Sequence, residues 1–258
     1  MVFTNVQTEL YAESVGAAEE TIEQDKEQSE KQDTKQNEEY GNEGTYQRFI
    51  HGFPDGTVKA DISMTRAEAA IIIFRLLEAD DKFNSVPHYF SDIDENSWYC
   101  QAVNYLSHVG IILGYPDGTF KADEAINKAE FSALITRFTK STGSTQADFA
   151  DVLHNHWAIS YINTVAEKGW VSGHDDNTFR PESHIARAEV VIMLNHILDR
   201  KTNPATIDES LGKNTVYSDI SSQHRAFYDI MDASITHRYV INQHGSKVWL
   251  SFSLPRAQ

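Results

Sequence analysis

The chain has a single cysteine, Cys100, in 258 residues. One thiol excludes an intramolecular disulfide framework and a four-cysteine zinc site. There is no run of 18 apolar residues, so no segment reads as a membrane-spanning helix. A basic balance is also missing. Against 38 acidic side chains stand 22 basic ones, a formal net charge of −16. That is the wrong sign for bulk nucleic-acid binding. Neither a Gly-rich phosphate loop nor Gly-x-Ser-x-Gly nor His-Glu-x-x-His is present. Asp92-x-Asp94-x-Asn96 opens like a calcium loop, but Ser97 stands at the glycine position and Val103 at the bidentate glutamate. The eleven histidines are scattered, and Cys100 has no evident base partner. No constellation for acid–base or nucleophilic chemistry emerges. The expectation is a protein that is not an enzyme and holds no metal and no cofactor.

Charge is unevenly spread. Between Ala12 and Thr45 lie eleven acids and three lysines, which carry half of the net charge. Residues 13–45 have almost no large apolar side chains and read as an acidic, disordered linker. Residues 1–12, ending in Leu10-Tyr11-Ala12, read as the remnant of a secretory signal that lacks its basic start and full apolar stretch.

Internal repetition is the informative feature. Three blocks share one order of parts. The first reads Gly52-Phe53-Pro54-Asp55-Gly56-Thr57-Val58, then Met64-Thr65-Arg66-Ala67-Glu68. The second reads Gly114-Tyr115-Pro116-Asp117-Gly118-Thr119-Phe120, then Ile126-Asn127-Lys128-Ala129-Glu130. The third reads Gly173-His174-Asp175-Asp176-Asn177-Thr178-Phe179, then Ile185-Ala186-Arg187-Ala188-Glu189. The aspartate-to-cation spacing is 11 residues each time. A further element, Phe90-Ser91-Asp92-Ile93 with Trp98, recurs as Phe149-Ala150-Asp151-Val152 with Trp157 and as Tyr217-Ser218-Asp219-Ile220. From Trp98 to Asp117 is 19 residues, and Trp157 to Asp176 is the same.

Each part has a physical reading. Trp98, Ala102, Tyr105, Leu106 and Val109 fall on one face of a 3.6-residue period, which predicts an amphipathic helix A over about 98–109. Equivalent helices are predicted over about 156–168 and 225–236. The turn follows, with Asp to bond its own backbone and Gly56, Gly118 or Asn177 to accept positive φ. A second helix, B, begins with a capping box at Thr65-x-x-Glu68 and a variant at Asn127-x-x-Glu130, while Ala186 has no capping oxygen. No such unit can bury its own face, so three must share a core. The predicted fold is all-α, with helix-turn-helix units in pseudo-threefold order. The chain opens on a turn and helix B and closes on helix A. That last helix is expected to pack with the first block and complete the third unit.

Arg66, Lys128 and Arg187 each stand in the first turn of a helix B, where the helix dipole disfavours a cation by about 0.3–1 kcal/mol. Two readings are open. The cations, beside the N–H groups of a helix start, form three anion-binding corners; or each pairs with an acid of a neighbouring unit. Trp98 and Trp157 are likewise either core residues opening an amphipathic helix or faces lining a sugar-binding groove.

The blocks resemble S-layer-homology domains, whose repeat runs Phe-x-Asp-Val, His-Trp-Ala, Gly-Tyr-x-Asp-Gly-Thr-Phe, Ile-Thr-Arg-Ala-Glu. Matching stretches are Asn155-His156-Trp157-Ala158, Gly114 to Phe120 and Met64 to Glu68. The resemblance covers residues 46–244. It implies an intramolecular pseudo-trimer around a central three-helix bundle, active as a monomer. Its grooves would bind secondary cell-wall polysaccharide, often pyruvylated, or modified peptidoglycan. By position it implies Arg66, Lys128, Arg187, Trp98, Trp157, Gly56 and Gly118 as ligand-binding residues. It places the protein outside the cell, on a bacterial cell wall, without membrane insertion. Repeat 1 (turn and helix B) is expected at 46–85, repeat 2 at 86–144 and repeat 3 at 145–204. A closing helix A is expected at 205–244 and a C-terminal tail at 245–258. A cell-surface scaffold for other proteins is the alternative. Lys128 in place of arginine, Arg225 at the tryptophan position and Asn177 in place of a turn glycine depart from the pattern.

Overall fold

A computed structural model describes residues 40–77, 87–200, 202–212 and 215–254. The expected signal remnant at 1–12 and linker residues 13–39 lie outside the described residues. The described chain is mostly helical, with seven helices and one small sheet. In order they are β1 (Tyr40–Tyr46), α1 (Arg66–Leu76), α2 (Cys100–His108), α3 (Lys128–Thr139), α4 (Ile159–Glu167), α5 (Arg187–Ile197), α6 (Pro204–Leu211), α7 (Phe227–Ser234), β2 (Thr236–Asn242) and β3 (Lys247–Ser253). The three helices B are α1, α3 and α5, and the three helices A are α2, α4 and α7.

Helices B start where the sequence predicts. Thr65 and Asn127 close reciprocal capping boxes with Glu68 and Glu130. Ala186 offers no side-chain cap, but Glu189 still accepts its backbone N–H at 2.9 Å. Helices A start later than the periodicity suggests, at Cys100, Ile159 and Phe227. Gly110 and Gly169, at φ 76° and 69°, follow α2 and α4. The last helix A has no such glycine, and the chain leaves α7 at an extended Ile235 and continues as β2.

The aspartate of each Phe/Tyr-x-Asp element fixes the turn of its unit. Asp92 accepts the backbone N–H groups of Phe120 and Lys121 at 2.8 and 2.7 Å. Asp151 does the same for Phe179 and Arg180, and Asp219 for Val58 and Lys59. Within the turns, Asp55, Asp117 and Asp176 accept the N–H of Thr57, Thr119 and Thr178. The glycine that opens each turn is required by close approach. A Cβ on Gly52, Gly114 or Gly173 would run into the ring of Tyr217, Phe90 or Phe149.

The three blocks meet in a closed cycle of backbone hydrogen bonds. Met64 N–H donates to the Ile185 carbonyl (3.1 Å), Ile185 to Ile126 (3.1 Å) and Ile126 to Met64 (2.9 Å). Beside it a second cycle runs from Arg66 to Glu124, Lys128 to Ser183 and Arg187 to Ile62. The second helices are thus tied at their bases, while along their lengths α1 packs on α2, α3 on α4 and α5 on α7. The closing helix serves two blocks at once. It packs on α5, and its Ala233 carbonyl accepts Phe49 N–H and Ile50 N–H at 3.0 and 3.2 Å. The first turn is therefore completed by the last Tyr-x-Asp element.

Two expectations need correction. Residues 40–45, assigned to the linker, form β1 together with Tyr46, and 247–253, assigned to a tail, form β3 of an antiparallel sheet ordered β1-β2-β3. α6, capped by Asn203, was not foreseen. β1 pairs with β2, a segment remote in sequence, whereas β2 and β3 form a local hairpin closed by a turn in which Gly245 N–H donates to the Asn242 carbonyl. A buried ionic cluster joins sheet to helices. Arg200 Nη1 lies 3.7 Å from Asp232 Oδ2, and His237 Nε2 lies 3.2 Å from Asp232 Oδ1. Arg200 also donates to the carbonyls of Gln47 and Asp232. His237 stacks on Trp249, with ring centroids 4.0 Å apart.

Candidate functional site

The three basic residues at the helix bases are each paired inside the fold. Arg66 Nη1 lies 3.0 Å from Glu130 Oε1, Lys128 Nζ 3.5 Å from Glu189 Oε1 and Arg187 Nη1 3.4 Å from Glu68 Oε1. The acid belongs to the neighbouring block each time, in the same rotation as the second backbone cycle and opposite to the first. Each glutamate has two tasks. Its Oε2 accepts the N–H of Thr65, Asn127 or Ala186, and its Oε1 takes the neighbour's cation. This explains the recurring cation-Ala-Glu triplet, and how a cation is tolerated where the dipole opposes it.

The helix starts are not open anion sites. The N–H groups of Arg66 and Ala67 donate to Glu124 and Ala122, those of Lys128 and Ala129 to Ser183 and Pro181, and those of Arg187 and Ala188 to Ile62 and Ala60. The donors that a free helix would offer an anion are consumed by the next block. Of the two readings of the cations, the internal ion pair is the one the geometry contains. Arg187 is only 7% exposed, so its guanidinium is spent on Glu68 and on the carbonyl of His51. Burial pulls its pKa below the ordinary arginine value, and Glu68 opposes that pull.

Open grooves nevertheless lie beside two corners. The first, about 710 Å³, is lined by Arg66, Tyr115, Glu130, Arg137, Trp157 and Glu182 among others. Its floor is built by the turn before α3. Arg66 lies over the Tyr115 and Phe120 rings at 4.7 and 5.0 Å, and its Nε donates to the Phe120 carbonyl at 2.8 Å. The Tyr115 hydroxyl donates to Glu130 at 2.5 Å. Burial, then that hydrogen bond, pushes the Tyr115 pKa up to about 12. The second groove, about 470 Å³, is lined by Lys128, Trp170, His174, Glu189, His196 and Arg225 among others. There the Lys128 ammonium donates to His174 Nε2 at 3.2 Å.

Trp98 and Trp157 are not core. Trp157 is 55% exposed and Trp98 64%. Both precede the first turn of their helices, so the helical period that was extended back to them does not apply. Trp157 is held from behind. Its ring stacks on His156, with centroids 5.9 Å apart and planes 27° apart, and His156 faces Glu182 at 3.3 Å. The outer face of the indole is open to the first groove. Trp98 meets Tyr99 edge-on. Gly56 and Gly118, at φ 77° and 80°, hold the tips of their turns; the glycines that line the grooves are Gly114, Gly169 and Gly173. Sequence reasoning missed Tyr115, His174 and Arg225. The signal for the first two was their shared place just after the turn-opening glycine.

Among the described residues no group of three or more His, Cys, Asp or Glu is arranged to hold a metal ion, and no helix is long and apolar enough to cross a membrane.

Comparison with known proteins places these features in context. The S-layer homology domain profile matches residues 89–132 and 148–191. A cellulosome-anchoring protein of Acetivibrio thermocellus is 34% identical over 219 residues, 81% of this chain and 46% of that protein. Cell surface glycoprotein 1 of the same organism is 33% identical over 217 residues, 79% of this chain and 9% of its own. An S-layer protein of Bacillus licheniformis is 34% identical over 107 residues, 41% of this chain and 12% of that protein. The chain therefore spans less than half the length of these relatives.

Proposed function

Because the chain belongs to the S-layer homology domain family, we propose that it anchors its bearer non-covalently to the bacterial cell wall by binding an acidic glycan. The protein acts at the cell surface, as its anchoring and S-layer relatives do. The ligand is a pyruvylated secondary cell-wall polysaccharide or a modified peptidoglycan, held in the grooves of a monomer without catalysis.

One observation carries this reading: an exposed indole, Trp157, and a cation, Arg66, line the same open groove. An aromatic face stacks on the apolar face of a sugar ring, and a guanidinium already neutralised by Glu130 still offers N–H donors to sugar hydroxyls. Arg66 and Lys128 with Trp157 and Trp98 are the proposed contacts. Arg187, Gly56 and Gly118 shape the site from behind.

The test is co-sedimentation with purified cell wall that bears its polymer. Wild-type protein should pellet, and should not after the polymer has been stripped from the wall. Trp157→Ala combined with Arg66→Gln should lower the pelleted fraction at least tenfold, with the helical circular dichroism unchanged. Pelleting that survives both treatments overturns the proposal. A stable protein partner recovered in its place would favour the scaffold reading.

A further inference from the structure

The two open grooves are built on one backbone frame yet carry opposite chemistry at their rims. Trp157 and Arg225 occupy matching places. Each follows a histidine whose Nδ1 accepts the N–H two residues on, His156 from Ala158 and His224 from Ala226, both at 3.1 Å. Each histidine turns its Nε2 to a carboxylate, Glu182 at 3.3 Å or Asp61 at 3.1 Å. From the same frame one groove receives an indole and the other a guanidinium.

Charge separates them further. In the first groove the cations Arg66, Lys121 and Arg137 face the carboxylates Glu124, Glu130 and Glu182, so the lining is balanced. All three cations are engaged: Arg66 with Glu130, Lys121 with Glu124 at 3.8 Å and Arg137 with the Tyr161 hydroxyl at 3.0 Å. In the second groove Lys128 and Arg225 face only Glu189, which leaves one uncompensated positive charge. Lys128 is the member paired with Glu189. Arg225 is exposed and has no ion-pair or hydrogen-bond partner among the described residues.

We propose that the two grooves divide the recognition of one acidic glycan, with Arg225 as the specificity-determining residue of the second. This rests on the glycan-anchoring reading above. The first groove binds the face of a sugar ring through Trp157 and is nearly indifferent to charge. The second takes the carboxylate of an acidic substituent on the free, planar fork of Arg225, which can pair with both oxygens at once. A neutral sugar gives that fork nothing to neutralise, so the second groove rejects it.

The experiment is an NMR titration of the whole chain with two probes, the neutral 4,6-isopropylidene ketal of methyl β-glucopyranoside and the corresponding 4,6-pyruvate ketal, which differ in a methyl group against a carboxylate. The neutral glycoside should shift the Trp157 indole N–H and leave the Arg225 Nε–H in place. The ketal should shift both, with the second-groove affinity falling as salt rises. Arg225→Ala, at an exposed position whose side chain holds no partner, should weaken ketal binding at the second groove about tenfold and leave the first unchanged. Arg225→Trp should make the second groove respond to the neutral glycoside. Equal response of both grooves to both probes overturns the proposal. So does a ketal response at His174 and Lys128 that survives Arg225→Ala, or no ketal response there at all. Co-sedimentation with cell wall is scored separately. Protein that pellets while any of these adverse results holds keeps its anchoring role and loses only the division of labour.

Discussion

At the bases of α1, α3 and α5 the repeats are tied by backbone hydrogen bonds, with side-chain pairs added around the rim. The sheet is tied to the same body by buried charge. Arg200 and Asp232 are each 4% exposed at the side chain, and Asp232 Oδ2 accepts no hydrogen bond there. The first arrangement repeats three times and tolerates variation, as lysine for arginine at residue 128 and alanine for a capping residue at 186 demonstrate. The second occurs once among the described residues, and each member depends on the others. Backbone ties spread a fold's dependence over many groups; buried charges concentrate it on a few.

The contrast can be broken most directly at the sheet. Asp232→Ala leaves Arg200 and His237 buried without their shared carboxylate, and should cost about 3–5 kcal/mol in urea unfolding. A loss below about 1 kcal/mol would mean that the junction is held by its apolar contacts around Trp249 instead. The ring should be less sensitive. Glu68→Gln retains an acceptor for Thr65 but removes the charge facing Arg187, and should cost about 1–3 kcal/mol. Glu189→Gln should cost less, because its partner Lys128 is 16% exposed at the side chain against 8% for Arg187. Equal costs would show that burial does not rank the corners.

The smallest effect at neutral pH, where it vanishes, lies at the seam between ring and closing helix. Burial, reinforced by Arg75, Arg48 and Arg187, holds the His51 pKa down at about 4, against 6.5 when unfolded. On acidification the unfolded chain takes up this proton below pH 6.5, while the fold resists until about pH 4. Stability is therefore lost progressively across that window. His51→Gln should flatten this part of the stability–pH curve. An unchanged slope between wild type and variant would assign the acid sensitivity elsewhere.

Much of this was legible in the residues. Fixed spacings of 11 and 19 predict the repeats, and Thr65 and Asn127 mark helix starts because capping acts over a few residues. The rest depends on distance in sequence. That Glu130 would both cap its own helix and receive Arg66 needs the rotation of the blocks, which local pattern does not encode. The period alone leaves Trp157 open between core and groove, because it lies two residues before the helix begins, where the helical period no longer tells which way a side chain faces. The pairing of β1 with β2 is not local, since Tyr46 and His237 meet across most of the chain, whereas the β2–β3 hairpin does have a short-range signal in the turn at Asn242 to Ser246 with Gly245 at positive φ.

The bond from Val58 to Asp219 spans 161 residues. The units at 89–139 and 148–197 each contain their own aspartate clasp, whereas the first turn must wait for a partner made last. Closing so large a loop carries a high entropic cost and slows assembly. The first turn can thus close only once residue 219 is available, and a polypeptide stopped short of Asp219 would keep two clasped units beside one left open.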